Sequence, residues 1–97
     1  MSYEEPGNRV EIEYCVKCKW MLRAAWLAQE LLTTFEGDLL EVALIPGRGR
    51  DGIFDIRVGD NVVWSREIER GFPQPKQLKQ RIRDLITPGR SLGHLDR

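Results

Sequence analysis

The sequence of 97 residues lacks any apolar run that approaches the roughly 20 residues of a membrane-spanning helix. It also lacks an excess of charge, since 15 Lys and Arg residues stand against 15 Asp and Glu residues. A balanced charge produces no overall field that would attract nucleic acid or an anionic membrane surface. We therefore expect neither nucleic acid nor a membrane among the partners of this chain.

The N-terminus lacks the features of a targeting segment. Residues 1–8 are acidic, with neither the apolar stretch of a secretory signal nor the arginines of a transit peptide. We therefore expect a cytoplasmic protein. Its 97 residues suit one domain, because a second domain would have too little chain to bury a core. We predict a flexible N-terminus over 1–8, one domain over 9–88 and a C-terminal tail over 89–97.

Cysteine and histidine are scarce, with two cysteines, Cys15 and Cys18, and one histidine, His94. In a reducing compartment, a lone pair at this spacing is more typical of redox or metal chemistry than of a structural disulfide. Cys-x-x-Cys is also half of a structural zinc motif, which needs four ligands. A zinc site would require two chains with two cysteines each, because His94 lies in the predicted tail. We predict no metal and keep the dimeric zinc site as an alternative.

Hydrophobic periodicity predicts the element order β-α-β-β-β-α. The apolar second strand is typical of a strand covered on both faces, and a right-handed crossover would pair it in parallel with the first. A turn at Gly59-Asp60-Asn61 predicts that the last two strands form a hairpin. The result is an α/β fold with one four-stranded mixed sheet and two helices, of the thioredoxin-like type. The predicted strands are 9–14, 39–45, 53–58 and 61–65, and the helices are 19–35 and 75–87.

Both predicted helices carry an apolar stripe. Leu22 and Trp26 lie off the first stripe, so either that helix is buried on nearly all sides or it leaves an apolar face for a partner, such as a second copy of the chain. The first stripe contains Trp20, Ala24, Leu27, Leu31 and Phe35, and the second contains Leu78, Ile82, Leu85 and Ile86.

The cysteine motif falls where the first strand ends and the first helix begins. Free N–H groups and the helix dipole favour negative charge at a helix N-terminus, so a thiolate should be stabilised there. The first turn of a helix also brings two sulfurs at this spacing close enough for a disulfide. We predict that Cys15 and Cys18 are the catalytic pair, in which one cysteine attacks and the other resolves. Lys17 and Lys19 would support the thiolate, and Glu13 would oppose it.

Five residues are candidates for substrate binding. Tyr14, Lys17 and Trp20 flank the motif, and the two aromatic rings would exclude water from it. Core packing is the alternative for Tyr14 and Trp20, because both lie on apolar periodicities. Arg48 and Arg50, in a glycine-rich loop, would hold an anionic group such as a glutathione carboxylate. Their alternative is a solvated charged loop.

Three segments, in order along the chain, resemble the selenoprotein W/T/H group of thioredoxin-like proteins, also called the Rdx family. The end of the chain, Arg-Ser-Leu-Gly-His at 90–94, resembles the tail of bacterial members. The three segments are Val-Glu-Ile-Glu-Tyr-Cys-Val-Lys-Cys at 10–18, Gly-Ile-Phe-Asp-Ile at 52–56, and Trp-Ser-Arg at 64–66 followed by Gly-Phe-Pro at 71–73.

The resemblance implies a thiol-disulfide redox role, with protein thiols or glutathione as partners and glutathione as the co-substrate. Selenium-containing members place selenocysteine at the position of Cys18, so this chain resembles an all-cysteine form with Cys18 as the attacking thiol. In ordinary thioredoxins the first cysteine of the motif attacks instead. They also place a cis-proline before the third strand, where this chain has Arg50-Asp51-Gly52. A non-enzymatic interaction module is the second alternative.

Overall fold

The structure is a computed structural model that describes residues 9–39 and 41–93. The expected flexible segment 1–8 and His94 lie outside the described residues. No helix in the described part of the chain is long and apolar enough to span a membrane. Four strands and three helices follow one another as β1 (Arg9–Cys15), α1 (Met21–Thr34), β2 (Glu41–Gly47), β3 (Phe54–Val58), β4 (Asn61–Ser65), α2 (Arg66–Glu69) and α3 (Pro75–Ile86).

The four strands form one mixed sheet in the order β2-β1-β3-β4. β1 pairs in parallel with β2 and antiparallel with β3, so it lies inside the sheet with a neighbour on each side. β3 and β4 form the predicted antiparallel hairpin. Gly59 occupies its turn with a φ of 60°, a conformation that glycine adopts without steric cost. The predicted thioredoxin-like fold is confirmed.

The hydrophobic core lies between one face of the sheet and the helices α1 and α3. The predicted stripe of α1 is confirmed, with Trp20 at its partly buried edge. The stripe of α3 is confirmed at Leu78 and Ile82 but wrong at Leu85, whose side chain is 45% exposed. The core contains Val10, Ile12, Tyr14, Ala24, Leu27, Ala28, Leu31, Phe35, Phe54, Ile56, Val58, Val63, Trp64, Leu78 and Ile82.

One charged side chain is buried beside this core. Lys79 of α3 is only 7% exposed, and its Nζ donates to Oε1 of Glu30 on α1 at 2.8 Å. Because an unpaired buried charge is costly, this bond is what makes the position of Lys79 tolerable. It also joins the two helices above the sheet.

Strand β2 differs from its predicted form. It lies at an edge of the sheet, and several of its residues are exposed, including Leu44 at 37%. It also continues through Pro46 and Gly47, which the sequence had placed in a loop. Proline cannot donate to a strand neighbour, so it is accommodated at an edge. The predicted coverage on both faces is therefore wrong.

Two helices also differ from the prediction. α1 begins at Met21 rather than near Lys19, since Lys19 has a φ of 64° and cannot be helical. The short helix α2 was not predicted, because four residues are too few to show a helical period. Arg70 ends α2 in a left-handed conformation, and its N–H donates to the carbonyl oxygen of Arg66 at 2.7 Å.

The second face of the sheet, opposite to the face covered by α1 and α3, carries ion pairs. Arg57 of β3 reaches across to β1, where its Nε lies 3.1 Å from Glu11 and its Nη1 lies 3.2 Å from Glu13. Arg9 pairs with Glu11 and, at 3.0 Å, with Glu41 of β2. These bonds link three neighbouring strands through their side chains.

The described start of the predicted tail is mostly exposed, as expected, yet it is attached to the domain. Arg90 pairs with Asp38, and its Nη2 donates to the carbonyl oxygen of Thr34 at 3.2 Å. Leu92 packs partly buried against the core. Residues 89–93 therefore contact the domain instead of projecting from it.

The stripe of α3 provides a matched pair of substitutions. Leu78→Ala should lower the free energy of unfolding by about 2–5 kcal/mol, because a fully buried leucine leaves a cavity. Leu85→Ala should lower it by less than about 0.5 kcal/mol, since its side chain is half exposed. Urea unfolding of both variants measures the difference, and equal losses would contradict the assigned orientation of α3.

The ion pairs on the second sheet face predict a pH effect. The hydrogen bond from Arg9, aided by one from Arg57, lowers the pKa of Glu11 below its usual 4.5, against the opposing effect of burial. The carboxylate therefore contributes stability that is fully present above the unfolded pKa and is lost as the pH falls through the lower folded pKa.

Glu11→Gln should destabilise the protein at pH 7 by no more than about 1 kcal/mol, since the carboxylate is partly exposed. This difference from the wild type should shrink as the pH falls below 4.5, the usual pKa of this carboxyl. Unfolding curves between pH 7 and acid measure it, with Glu36→Gln as an exposed control. A difference that stayed constant into acid would contradict the assigned bonds.

Candidate functional site

The structure joins Cys15 and Cys18 in a disulfide, with their Cα atoms 5.3 Å apart. Cys15 is the last residue of β1 and lies opposite Gly47 of β2 in the sheet register. Cys18 lies in the turn that connects β1 to α1. One sulfur therefore belongs to the sheet and the other to a surface turn.

The turn at residues 16–19 has its own hydrogen bonds. The N–H of Lys19 donates to the carbonyl oxygen of Val16 at 3.0 Å, and the N–H of Cys18 donates to the Sγ of Cys15 at 3.2 Å. Because α1 begins only at Met21, the prediction that the cysteines occupy its first turn is wrong. The effect of a helix dipole is largely confined to that turn. The structure nevertheless directs the N–H of Cys18 at the sulfur of Cys15.

The two sulfur-bearing residues differ in accessibility. Cys15 is 1% exposed, whereas Cys18 is partly exposed. Of the two residues, Cys18 is the more accessible to solvent. This difference agrees with the prediction that Cys18 attacks, although the role itself stays a prediction.

Lys17 connects the motif to the loop before β3. Its Nζ lies 3.7 Å from the carboxylate of Asp51, and both side chains are well exposed. Such a surface pair contributes little stability because water screens it. The pair shows that the loop at 48–53 lies next to the turn that contains Cys18.

An aromatic cluster lies beside the motif. The ring of Trp20 meets those of Phe54 and Phe72 edge to face, with centroids 6.2 and 4.9 Å away. Arg66 lies 4.8 Å from the ring of Trp20, and Arg23 lies 4.0 Å from that of Phe72. Trp20 thus packs at the edge of the core, which agrees with the core-packing alternative for this residue.

Tyr14 is buried inside the core, 9% exposed, which also matches the packing alternative. Its predicted contact with a substrate, like that of Trp20, stays a prediction. Both aromatic side chains therefore pack in or against the core next to the cysteine motif.

A cleft of about 440 Å³ lies between the loop before β3 and the start of α2. Arg50 lies in it, with its Nη2 3.9 Å from Asp55 and 4.0 Å from Glu67. Arg48 is exposed and is not among the lining residues. Of the two arginines predicted to bind an anion, Arg50 therefore lines the cleft and Arg48 does not. The cleft is lined by Arg50, Asp51, Gly52, Ile53, Phe54, Asp55, Arg66 and Glu67.

Sequence reasoning did not single out several residues that surround the motif. Arg66 contributes a buried Nε that has no hydrogen-bond partner among the described residues. It lies at the start of α2, a helix too short to predict. Ile53 and Phe72 lay within segments that carried the family resemblance, which was the one available signal for them. Gly52, just before Ile53, has a φ of 82°, and all described peptide bonds are trans.

The structure also bears on metal binding and on the outer face of α1. Within 9–39 and 41–93, no group of three or more His, Cys, Asp or Glu side chains could hold a metal ion. A zinc site shared between two chains stays untested. Leu22 is 76% exposed and Trp26 is 46% exposed, so α1 leaves an apolar face uncovered.

Comparisons with known proteins agree with this architecture. The model of the Rdx family matches residues 9–84. A protein of Bos taurus called migration and invasion enhancer 1 is 32% identical over 81 residues, which cover 81% of this chain and 67% of that protein.

Two solved structures are similar to this one. A crystal structure from Bordetella parapertussis is 56% identical with a TM-score of 0.74, and it covers 78% of this chain and 94% of its own. A selenoprotein W-related protein from Vibrio cholerae is 52% identical with a TM-score of 0.76, and covers 80% of this chain and 95% of its own. With its sheet order, its paired cysteines and these relatives, the chain belongs to the Rdx family.

Proposed function

We propose that this protein exchanges thiols and disulfides through Cys15 and Cys18. The pair cycles between dithiol and disulfide, and it forms mixed disulfides with protein thiols or with glutathione. The observation that carries the proposal is the bonded pair itself, in which one sulfur is buried at a strand end and the other is partly exposed in a turn. Membership of a family that includes selenoprotein W-related proteins supports it.

In the reducing direction, the thiolate of Cys18 attacks a target disulfide R–S–S–R′. A bond forms between Cys18 and RS, and R′S⁻ leaves with a proton taken from solvent. The thiol of Cys15 then loses its proton and attacks the sulfur of Cys18, which closes the internal disulfide and releases RS⁻. Two electrons pass to the target, and two protons follow them.

In the oxidising direction, a target thiolate attacks the sulfur of Cys18 and expels the sulfur of Cys15. Negative charge therefore develops on Cys15 as the bond breaks. The N–H of Cys18 already points at that sulfur from 3.2 Å, so a donor is in place where the charge appears. The geometry suits attack at Cys18 better than attack at Cys15, whose sulfur is buried.

The expected cytoplasmic location stays a prediction and would supply the reductant. Glutathione maintains a reducing poise there, so the pair would rest as a dithiol and oxidise on meeting a target or an oxidant. No metal is required for these steps.

A titration in glutathione buffers of graded poise tests the proposal. The wild type should lose two hydrogens at one defined potential, because both cysteines oxidise together. Cys15→Ser should accumulate a glutathione adduct on Cys18, whereas Cys18→Ser should accumulate little, because Cys15 is buried. Intact mass after alkylation of free thiols measures both, and the double variant Cys15→Ser/Cys18→Ser controls for other adducts.

Two results, one from this titration and one from native mass spectrometry, would contradict the proposal. In one, both cysteines stay reduced and unmodified at every poise. In the other, native mass spectrometry finds zinc held between two chains, which would establish the structural alternative. Either result would leave a binding role for the chain.

Glutathione as a co-substrate makes a further prediction about the cleft. Arg50 lies in the cleft and could pair with a carboxylate, whereas Arg48 lies outside it. Arg50→Gln should slow formation of the glutathione adduct on Cys18 by about threefold to tenfold, because it removes one charge-assisted hydrogen bond to the carboxylate. The effect is moderate because Arg50 also pairs with Asp55 and Glu67.

Arg48→Gln is the matched control and should leave the rate within about twofold, since an exposed charge is screened. The rate is followed by intact mass in the Cys15→Ser background. Equal effects of the two substitutions would mean that the cleft does not hold glutathione.

A further inference from the structure

Two buried residues, one at the end of β1 and one just before β3, lie outside the main core. Cys15 is 1% exposed and Ile53 is 4% exposed, yet neither belongs to the cluster between the sheet and the helices. Tyr14, immediately before Cys15, does belong to it. Because side chains alternate along a strand, Cys15 points to the opposite face of the sheet, the face that carries Glu13.

Gly47 shows where the side chain of Ile53 lies. A Cβ atom built on Gly47 would be 2.6 Å from Cγ2 of Ile53 and 3.2 Å from Cγ of Glu13. Gly47 ends β2, and Ile53 immediately precedes β3, with β1 between these two strands. The side chain of Ile53 therefore reaches Gly47 at the end of β1. The residue at that end of β1 is Cys15, which lies opposite Gly47 in the register.

We infer that Ile53 is a specificity-determining residue, whose side chain covers Cys15 and restricts attack by external thiols to Cys18. The inference rests on the proposed thiol exchange. With the cover in place, the sulfur of Cys15 can react with Cys18 inside the protein and with little else. Cys15 is thereby kept as the resolving thiol, and mixed disulfides at Cys15 are suppressed.

Gly47 has a defined part in this arrangement. Its value is the absence of a side chain, because real Cβ atoms essentially never approach another carbon to 2.6 Å. A side chain at position 47 would require a shift at this contact, and Ile53 Cγ2 is the atom nearest to it. Gly47 and Ile53 therefore act as one unit, with the glycine providing space for the isoleucine.

Alkylation of single-cysteine variants tests the inference. In Cys18→Ser, where Cys15 is the remaining thiol, iodoacetamide should react slowly under native conditions. Adding Ile53→Ala should raise that rate by about tenfold or more, because thiol reactivity follows exposure. The same change in Cys15→Ser should alter the rate at Cys18 by less than about twofold. Equal acceleration at both cysteines, or none at Cys15, would overturn the inference.

Gly47→Ala provides an independent variant. It should also accelerate alkylation of Cys15, since the new methyl group displaces the side chain of Ile53. In the Ile53→Ala background it should add less than about twofold, because neighbours that act through one contact are not additive. Full additivity of the two rate increases would show that Gly47 and Ile53 act separately and would overturn their coupling.

Two controls separate local uncovering from general loosening. Ile82→Ala removes the same atoms from a buried isoleucine of α3 and lowers stability without touching the end of β1. Ile53→Val keeps Cγ2 and should retain the protection of Cys15. If Ile82→Ala exposed Cys15 as much as Ile53→Ala did, unfolding would explain the reactivity and the inference would fail.

These measurements are independent of the redox titration. Alkylation of a lone thiol needs no disulfide cycle, so a chain that failed the titration could still show Cys15 protected by Ile53. In that case the protection of Cys15 by Ile53 is supported and the proposed function is wrong. If the titration succeeded but Ile53→Ala accelerated alkylation equally at both cysteines, the protection of Cys15 by Ile53 alone would be overturned.

Discussion

The pairing of β1 on both of its edges is the constraint on which the rest of the molecule depends. With β2 on one side and β3 on the other, the strand has no freedom to shift, and its alternation of apolar and charged residues assigns a different function to each face. One face builds the core under α1 and α3, and the other carries the ion pairs of Arg57. Cys15 is held at the end of this strand with the same precision.

Local patterns were sufficient for most of the fold. The alternation over 9–14 predicted β1, the stripe from Ala24 to Phe35 predicted the buried face of α1, and Gly59 predicted the hairpin. Each of these patterns comes from residues that are close together in sequence and depends on local structure. The cysteine pair was found for the same reason, since a two-residue spacing within one turn needs no knowledge of the rest of the chain.

The errors arose where distant residues decide the structure. An apolar run does not reveal how far the two faces of a strand are covered, so the sequence does not predict the exposure of Leu44. The start of α1 was misplaced because Lys19 adopts a left-handed conformation that its residue type does not indicate. The approach of Ile53 to Gly47 joins the start of β3 to the end of β2, two strands that are not neighbours in the sheet. No spacing in the sequence encodes such a contact.

The turn at 16–19 is short, and its position has a mechanical consequence. At one end it is attached to β1, an interior strand of the sheet, and at the other it leads within two residues into α1, the helix that presents Leu22 and Trp26 to solvent. The bond between Cys15 and Cys18 is thus a tether between a fixed sheet and the entry of that helix. In the proposed thiol exchange, opening this bond would release the restraint on a turn that lies directly before this exposed apolar surface.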